Sequence, residues 1–586
     1  MRRIALAMAL LLPALVLAQA ETTGRISGVV KDPEGKPIAN AEITVSSPAL
    51  QGDRVLKSDA SGRYLATQLP PGQYLVSIEA TGMNTGLYNL PVGIGQDVPL
   101  EVTLTPGERV NEQVTVYAPA ARLETTATGE NFNYKEQVDE LPIVNRNIER
   151  VAELAPNISF GPTPDTLSIA GAPSFDTSVL LDGAEISDPY FGSAPDVYVE
   201  EAVEEVQVLT GGISARYGRF QGGVINATTK SGGNTFDGSV RADLDKETWN
   251  STTPFGEQQS DELNRVYSGT ISGPIVKDRL TFFAAGRTIP TAEDALTTAN
   301  PSGELATSQS YVVRTDQDRW QIKLTGSVTP NHVFEASYLD FSQTTNNYDG
   351  LPPAHVQALG TREDPRETQT LEYNGILSDR LSLNIQATRK RVSILAGAPA
   401  GNVHSPFLDF YGSGFQIWNA NWWDFGDPSD RDADTLGLAV TQSLSAGDWG
   451  DHTLEYGVQY VNSITAGENR QSATGFNLLN YDAFVGAGDF ANVDTGVGDP
   501  NDPRFNLISL TDGGFTYRWV ALPLGGDQEL KNLAAYVQDA WEIGKWRIDA
   551  GLRWESYEGN GPQPTLDLDF DEVSPRLGVT YNLDQD

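Results

Sequence analysis

Residues 204–238, EEVQVLTGGISARYGRFQGGVINATTKSGGNTFDG, interleave two short apolar runs with glycine-rich turns. The runs at 206–209 and 223–228 are predicted to be strands, because apolar and β-branched residues bounded by glycines are typical of strands. A phosphate-binding loop would need a glycine directly before its lysine, but Thr229 precedes Lys230 here. The glycines are therefore predicted to allow close backbone packing and turns.

Composition narrows the classes of protein to which the chain can belong. Its 586 residues predict several domains, and they carry a net charge of −38 with 9% aromatic residues. Such acidity argues against nucleic-acid binding, which needs a basic face, while the aromatic content favours folded domains over disorder. Cysteine is absent and the four histidines lack metal-ligand spacing, so we predict no disulfide, no metal site and no cofactor.

The first twenty residues have the pattern of an export signal. Arg2 and Arg3 precede an apolar run at 4–17, and the sequence AQA at 18–20 forms a small-x-small cleavage site. The apolar run is shorter than the roughly 20 residues that a membrane-spanning helix needs. We therefore predict that residues 1–20 are a signal peptide.

Residues 21–108 are predicted to form a small β-sandwich. Short runs of alternating apolar and polar residues are separated by turn sequences such as DPEG at 32–35 and LPPG at 69–72. Short strands at such regular spacing are typical of a sandwich. The residues expected to pack inward include Ile26, Val29, Ile38, Ile43 and Val45.

Residues 109–120 form a polar stretch with one extended core at 114–116, which Pro119 ends. One interpretation is a linker between domains whose middle favours an extended conformation. The other is a strand that pairs with the edge of a partner's sheet, where main-chain hydrogen bonds provide the affinity. The residues alone leave both interpretations open.

Residues 121–235 are predicted to combine a short helix with strands. Apolar residues fall at helical spacing from Ile148 to Leu154. A strand then leads into the tight turn Asp182-Gly183, and the two strands of 204–238 follow. This part of the chain is therefore expected to be an α+β domain.

Residues 236–586 alternate apolar and polar side chains in segments of roughly ten residues. In RWQIKLTGSV, for example, Trp320, Ile322 and Leu324 face one way and the polar residues between them face the other. A soluble all-β sheet can show the same alternation. Segment length, terminal aromatic residues and alternating short and long connections favour a transmembrane antiparallel β-barrel.

Four long connections of this barrel are polar and acidic, and we expect them to be extracellular. They span residues 288–318, 341–368, 395–434 and 461–528. Their carboxylate and carbonyl oxygens would suit a bound ligand or calcium, and the alternative is that they are ordinary solvated loops.

Two groups of sequence patterns resemble known families. From Gly28 to Ile43 the chain has GxVxDxxGxPIxxAxI, followed by SDxxGxY and LPPGxY, and this resembles the carboxypeptidase regulatory-like domain, a transthyretin-like sandwich without catalytic activity. Four further patterns then follow in order, namely LPxxxR, VLLDGxxISDP, EEVQVLTGGxSARYGRxxGGVIN and TKSGGNTFDGS. These resemble the plug domain of TonB-dependent outer-membrane receptors, and the combination resembles their Oar-like branch.

The resemblance implies a mostly β chain with a regulatory-like sandwich, an α+β plug and a transmembrane barrel. It also implies a TonB box, the strand that pairs with TonB, between the signal peptide and the plug. The residues in that place are Gln113, Val114, Thr115, Val116, Tyr117 and Ala118. Its implied partners are TonB, outer-membrane lipid and an extracellular ligand, with no catalytic residue.

One feature departs from the resemblance. Plugged barrels have about 22 strands, and only about half that number can be placed before Asp586. We therefore expect C-terminal strands to be missing, and an open sheet whose last strand, near Val579, is unpaired on one side. The favoured function is ligand uptake in the outer membrane, and the alternative is an adhesion or protein-export component with the same fold. A secreted enzyme ranks third, because the sequence offers no active site.

Overall fold

The structure is a computed structural model of the chain. It describes residues 21–107, 128–133, 137–138, 147–160, 167–173, 176–188, 194–249, 251, 263–297, 309–348, 356–397, 407–411, 414–418, 428–469, 477–480, 509–512, 515–520, 524–525, 527–561, 568–581 and 583. The predicted signal peptide and the predicted TonB box, Gln113 to Ala118, lie outside the described residues.

The first folded unit, here called the sandwich domain, consists of two packed sheets. Its strands are β1 (Gly24–Lys31), β2 (Glu42–Ser46), β3 (Arg54–Lys57), β4 (Arg63–Leu69), β5 (Gly72–Glu79), β6 (Gly86–Val92), β7 (Asp97–Pro99) and β8 (Val102–Thr103). One sheet has the order β4-β1-β7, with β8 also paired to β1, and the other has the order β3-β2-β5-β6.

The core of the sandwich domain largely matches the predicted inward residues. Ile26 and Ile43 are fully buried, and Ile38 is partly buried against the same core. The prediction for Val29 is wrong, because the buried residue is its neighbour Val30. Side chains alternate along a strand, so Val29 cannot share a face of β1 with Ile26.

The second unit, here called the plug, is built around a five-stranded sheet. Its elements are β9 (Thr128–Asn133), α1 (Ile148–Ala152), β10 (Ile158–Phe160), β11 (Leu167–Ile169), β12 (Ser178–Leu181), β13 (Ala184–Glu185), β14 (Val203–Gly211) and β15 (Val224–Thr229). The sheet has the order β13-β12-β15-β14-β9, in which only β12 and β15 are parallel, and β10 pairs separately with β11.

The helix of the plug is shorter than the sequence predicts. Asn147 caps α1, since its side chain accepts a hydrogen bond from the N–H of Arg150 at 2.9 Å. The chain turns after Ala152, so Leu154 lies beyond the helix and is 48% exposed. In the described part of the chain, no helix has the length and apolar character needed to cross a membrane.

The glycines of the opening stretch serve close packing, as predicted. A Cβ atom on Gly222 would lie 2.8 Å from the Cβ of Ala172. A Cβ on Gly223 would lie 2.5 Å from the carbonyl oxygen of Leu209 and 2.6 Å from Cγ2 of Ile169. Both glycines therefore let β15 approach its neighbours more closely than any other residue could.

The third unit is the barrel sheet, in which strands adjacent in sequence pair antiparallel. Its strands are β16 (Asp237–Asp245), β17 (Asn264–Val276), β18 (Leu280–Leu296), β19 (Ser310–Thr329), β20 (His332–Tyr348), β21 (Gly360–Glu363), β22 (Arg366–Ser378), β23 (Leu381–Gly397), β26 (Ser429–Ser445), β27 (Asp451–Ala466), β33 (Gln528–Ile543), β34 (Trp546–Asn560) and β35 (Leu568–Tyr581). Both β21 and β22 lie between β20 and β23, so they are two parts of one strand, interrupted at Asp364 and Pro365.

Side chains alternate across the barrel sheet as the sequence predicts. On β19, Trp320 is 62% exposed and Ile322 is 43% exposed, whereas Gln321 and Lys323 are each 4% exposed. The apolar residues therefore face outward and the polar residues face the plug.

Short and long connections alternate as expected, but the predicted bounds of the long ones are too wide. For example, β18 runs to Leu296 and β19 begins at Ser310, both within the predicted connection 288–318, because the strands continue beyond the roughly ten residues expected of them. Short turns follow β17, β19, β22, β26 and β33, and long connections lie at the other end of the sheet. Among the described strands, β16 pairs only with β17, and β35, which contains Val579, pairs only with β34. The described sheet is therefore open, as predicted.

Two of the long connections join into a small sheet of their own. Its strands are β24 (Phe407–Tyr411), β25 (Gly414–Trp418), β29 (Asn477–Asn480), β30 (Ser509–Asp512) and β31 (Phe515–Val520), and β28 (Glu468–Asn469) pairs with β32 (Leu524–Gly525). The sheet order is β25-β24-β29-β31-β30, so pairing of β24 with β29 links the connection after β23 to the one after β27.

Candidate functional site between the plug and the barrel sheet

The plug lies against the inner face of the barrel sheet, and residues of both units form one apolar core. Val206 and Ile225 of the plug belong to one buried apolar cluster with Leu339 and Phe341 of β20. Two smaller apolar clusters also join the units, one of Val199 and Ala202 with Phe283 and Ala285 and one of Ala215 with Tyr536. The polar contacts involve several separate parts of the plug.

The turn after β12 forms the first polar contact. Asp182 and Gly183 have positive φ angles of 48° and 75°, as a tight hairpin turn requires. The Nζ of Lys323 lies 2.9 Å from Oδ1 of Asp182 and also donates to the carbonyl oxygen of Thr229 at 3.0 Å. Gln386 of β23 donates to the carbonyl oxygen of Asp182 at 2.6 Å. The barrel therefore holds both the carboxylate and the backbone of this turn.

The residues before β14 form the second contact. Arg319 of β19 donates to the carbonyl oxygen of Tyr198 at 2.8 Å and to Oε1 of Glu200 at 3.1 Å. Arg287 of β18 lies 2.9 Å from Oε2 of the same glutamate and 3.3 Å from Oε1 of Glu201. Two barrel arginines thus enclose one plug carboxylate.

The SARYGR segment after β14 forms the third contact. Arg216 pairs with Glu455 of β27 at 3.2 Å, and Tyr536 of β33 donates to the same carboxylate at 2.9 Å. The N–H of Ala215 donates to Gln538 at 3.0 Å. This is the one described site where the plug supplies the cation and the barrel supplies the anion of a buried pair.

Arg553 of β34 completes the contact with this segment. It is 0% exposed and donates to the carbonyl oxygen of Arg216 at 3.0 Å and to Glu555 at 2.9 Å. A Cβ atom on Gly218 would lie closer to the guanidinium than van der Waals radii allow. Arg576 of β35 donates to the carbonyl oxygen of Tyr217 at 2.8 Å. The glycine therefore makes room for the buried arginine.

A fourth contact lies at the end of the segment after β13. Arg431 of β26 forms a buried ion pair with Asp188. Lys390 of β23 donates to the carbonyl oxygen of Ser187 at 2.9 Å. As in the first two contacts, the barrel supplies the cation.

The polar contacts between plug and barrel affect whether the plug can move. Buried ion pairs lose most of their Coulomb attraction to desolvation, so they orient the partners more than they stabilise the complex. Each of these groups also finds hydrogen-bond partners in water if the plug moves. The plug is thus held in one orientation by contacts that water can replace.

The sandwich domain lies at the short-turn end of the barrel sheet. Asp59 pairs with Arg380, between β22 and β23, at 3.3 Å, and Arg63 pairs with Asp451 at the start of β27. Gln68 also donates to the carbonyl oxygen of Leu383 at 2.9 Å. The domain therefore covers part of the barrel mouth at this end.

The sandwich domain also contacts the plug directly, through Ile94. The N–H of Ile94 donates to Oε2 of Glu205 at 3.0 Å, and its carbonyl oxygen accepts from Gln207 at 2.6 Å. Asn131 of β9 donates to Oε1 of Glu205 at 2.6 Å and to the same carbonyl at 3.2 Å. Burial raises the pKa of Glu205 from its ordinary 4.5 to about 7, although the hydrogen bonds from Asn131 and Ile94 oppose that rise.

A cavity of about 1120 Å³ lies between the three units. The sandwich domain lines it with Gln68 and Pro91, the plug with Lys230, and the barrel with Glu335 and Glu372. Its walls are a mixture of polar and apolar groups, and its boundary depends on all three units staying together.

Sequence reasoning did not locate the contacts between the units. The predicted TonB box cannot be compared with this geometry, because it lies outside the described residues. The acidic connections predicted to be extracellular are described only in part. The barrel cations that hold the plug, such as Arg287, Arg319 and Lys323, were not predicted as functional residues. Their one signal is a charged side chain on the inward face of an alternating strand.

Three family models match the chain. The carboxypeptidase regulatory-like domain matches residues 25–105, the TonB-dependent receptor plug domain matches residues 134–225, and the TonB-dependent receptor-like β-barrel matches residues 388–586. The chain therefore carries the domains of TonB-dependent receptors, a family of transporters rather than enzymes.

Sequence similarity points to the same branch of the family. The TonB-dependent transporter Oar of Myxococcus xanthus is 32% identical to this chain over 305 residues. The match covers 48% of this chain and 28% of that protein, so the chain spans well under a third of the relative's length.

Solved structures share the fold at low identity. The outer membrane transporter YddB from Escherichia coli superposes with a TM-score of 0.56 and 13% identity, over 78% of this chain and 59% of that one. The ferric enterobactin receptor PfeA from Pseudomonas aeruginosa, a mutant in complex with enterobactin, gives a TM-score of 0.51 and 15% identity, over 78% and 60%. These likenesses concern the fold alone.

Proposed function

We propose that this chain, with its regulatory-like, plug and barrel domains, is a TonB-dependent outer-membrane receptor that takes up an extracellular ligand. TonB would pair with the strand at 114–116 by edge addition and pull on it. The plug would then rearrange inside the barrel and open a path for the ligand. Uptake of this kind needs no catalytic residue in the chain.

The observation that carries this proposal is the set of buried polar contacts between plug and barrel. Lys323, Arg319 and Arg431 each hold a plug carboxylate, and their partners lie on three separate plug segments. Ionic and hydrogen-bonding groups can be rehydrated when the plug moves, so these contacts add orientation at little cost to mobility. A movable plug is what ligand uptake through this barrel requires.

The outward face of the barrel sheet supports a location in the outer membrane. Trp320, Leu371 and Leu577 are each more than 60% exposed, at 62%, 63% and 74%. Apolar side chains on the outward face of barrel strands are typical of contact with lipid. A signal peptide at residues 1–20 would bring the chain to that compartment.

The ligand is proposed to bind at the long-connection end of the barrel. There the connections after β23 and β27 join through the pairing of β24 with β29. Binding above the plug would place the ligand on the opposite side from the sandwich domain. Movement of the plug would then carry it inward.

The proposal is tested by replacing residues 111–118 of the full-length receptor with a glycine-serine segment of equal length. A ligand is first identified by a binding screen with the unaltered receptor, and its uptake is then compared between the two strains. We expect the replaced receptor to reach the membrane and bind the ligand but to lose uptake. Undiminished uptake by the replaced receptor would contradict the proposal. If neither strain takes up the ligand and adhesion or protein export is the same in both, the alternative function is favoured.

A further inference from the structure

We infer that the turn at residues 93–96 is a clasp that holds the sandwich domain on the plug, and that it opens when β9 is pulled away from β14. The sandwich domain then acts as a gate at the short-turn mouth of the barrel. This inference rests on the proposed function, because TonB supplies the pull.

The clasp binds the plug through its backbone. Ile94 is 0% exposed, and its N–H and its carbonyl oxygen are both taken up by plug side chains. These side chains, Glu205 and Gln207, are two residues apart on β14 and so share one face of the plug sheet. One peptide turn thus docks on one defined patch.

The glycines on both sides of Ile94 fit this patch. A Cβ atom on Gly93 would lie 2.9 Å from the side-chain nitrogen of Asn131, and closer still to Glu205. Gly95 has a φ of +64°, and a Cβ there would lie 3.0 Å from the side-chain nitrogen of Gln207. A side chain at either position would push the turn away from the plug.

Closure of the clasp depends on β9. Asn131 stands opposite Gln207 in the pairing of β9 with β14, and it bridges Glu205 to the carbonyl oxygen of Ile94. Among the described strands, β9 pairs only with β14, so it is the edge of the plug sheet. Removing β9 would take Asn131 away and break three hydrogen bonds in the cluster, including the one that Gln207 donates to Asn131 at 3.4 Å.

The position of β9 in the chain connects the clasp to the predicted TonB box. The sandwich domain is described to residue 107 and β9 begins at Thr128, so residues 113–118 lie on the segment that joins them. A pull on that segment acts on β9 from one side and on the sandwich domain from the other. The same force would therefore peel β9 and draw the released domain away.

The remaining ties between the sandwich domain and the barrel are the hydrogen bonds from Thr22 to Glu372 at 3.0 Å and from Gln68 to the carbonyl oxygen of Leu383 at 2.9 Å, and two ion pairs that are partly exposed. In the pair Arg380–Asp59, 59% and 24% of the two side chains are exposed, and in Arg63–Asp451 the values are 43% and 22%. Exposed ion pairs contribute little to stability. Opening the clasp would therefore loosen the domain, and the cavity that it lines would lose one wall when the domain moves.

The test uses the absence of cysteine from the chain. Ile94→Cys keeps the peptide groups that make the clasp and places a thiol in the buried turn. Its labelling by a maleimide is measured in intact cells, with the inner membrane energised or discharged by a protonophore. We expect slow labelling in discharged cells, faster labelling in energised cells, and labelling about tenfold faster in either state when Asn131→Ala is added.

Three matched variants control the experiment. Val55→Cys, on the exposed side of the same domain, reports the reactivity of an accessible thiol, and Ile43→Cys, in the sandwich core, reports unfolding of that domain. Glu130→Ala changes the residue beside Asn131 on β9, whose side chain is exposed. This last change should leave labelling of Ile94→Cys unaltered.

The outcomes separate the clasp from the proposed function. If Asn131→Ala leaves Ile94→Cys as protected as before, the clasp is wrong. If TonB crosslinks to residues 113–118 and energisation still leaves Ile94→Cys protected, the gate is wrong. If TonB does not crosslink, the proposed function fails, whereas faster labelling with Asn131→Ala would still support the clasp.

Discussion

Lys323 of the barrel and Asp182 of the plug form a buried ion pair, in which Nζ lies 2.9 Å from Oδ1 and the side chains are 4% and 14% exposed. The same carboxylate accepts hydrogen bonds from the N–H and the hydroxyl of Thr229, at 2.9 Å and 2.5 Å. One barrel lysine thus holds the turn after β12 and the end of β15 together.

Removing this lysine should loosen the plug. Lys323→Met leaves Asp182 buried without its counter-ion, which typically costs about 3–5 kcal/mol. Arg389→Met is the matched control, because the pair Arg389–Asp434 is exposed and should contribute less than about 1 kcal/mol. Urea unfolding of the purified protein measures both, and equal stability of the two variants would contradict the role given to Lys323.

Gly218→Ala should disturb the packing of the SARYGR segment against the barrel. The added methyl group would meet the buried guanidinium of Arg553, and overpacking of this kind costs about 1–3 kcal/mol. Gly326→Ala is the control, since its nearest neighbour, Cδ1 of Leu280, would lie 3.4 Å away. Thermal unfolding should show a lower midpoint for the first variant alone, and an unchanged midpoint would mean that Arg553 has room to move.

Features of the fold that depend on neighbouring residues in the chain could be predicted from the sequence, whereas contacts between distant residues could not. The alternation of Trp320 with Gln321 is a local property of a strand, and it was predicted correctly. Val29 was assigned inward because it is apolar, although the two-residue period of the strand places Val30 there. The prediction relied on the apolar character of Val29 and did not apply the alternation of side chains along the strand.

The contacts of the candidate site lie beyond such local reasoning. Ile94 and Glu205 are 111 residues apart in the chain, and the hydrogen bond between them uses a backbone N–H that every residue except proline possesses. Nothing in the residue types near Ile94 marks it as a docking point. The partner of Arg319 likewise depends on how the plug is oriented against β19, which no single segment determines.

The clasp should be sensitive to pH through Glu205. Burial raises the pKa of this carboxyl from 4.5 to about 7, so the docked state binds a proton more tightly than the undocked state. Docking should therefore weaken as pH rises from about 4.5 to about 7 and change little above that. Glu204 is the one neighbouring charge that contributes to the rise.

This dependence is measured by the rate at which Ile94→Cys is labelled between pH 5 and pH 8, a range that spans the pKa of about 7. At each pH the rate is divided by the labelling rate of Val55→Cys. The ratio should increase with pH in the otherwise unaltered protein. Glu205→Gln keeps the shape of the side chain but cannot titrate, and its ratio should stay constant. The same slope in both proteins would rule out Glu205 as the group responsible.

The sandwich domain should fold on its own. Its apolar cluster, which includes Ile26, Tyr74 and Val102, consists only of residues between Ile26 and Leu104. Residues 21–107 expressed alone should therefore unfold cooperatively and give a β-type circular dichroism spectrum. A disordered spectrum would show that the domain needs the plug or the barrel to fold.

Pairing of TonB with the strand predicted at 114–116 is the central claim, and site-specific crosslinking of the full-length receptor to TonB tests it most directly. Edge addition uses backbone N–H groups, and proline lacks one. We predict that Val116→Pro abolishes the crosslink, while Thr115→Ala, which keeps the backbone intact, retains it. Equal crosslinking of the two variants would contradict the assignment of the TonB box, and with it the proposed mechanism of uptake.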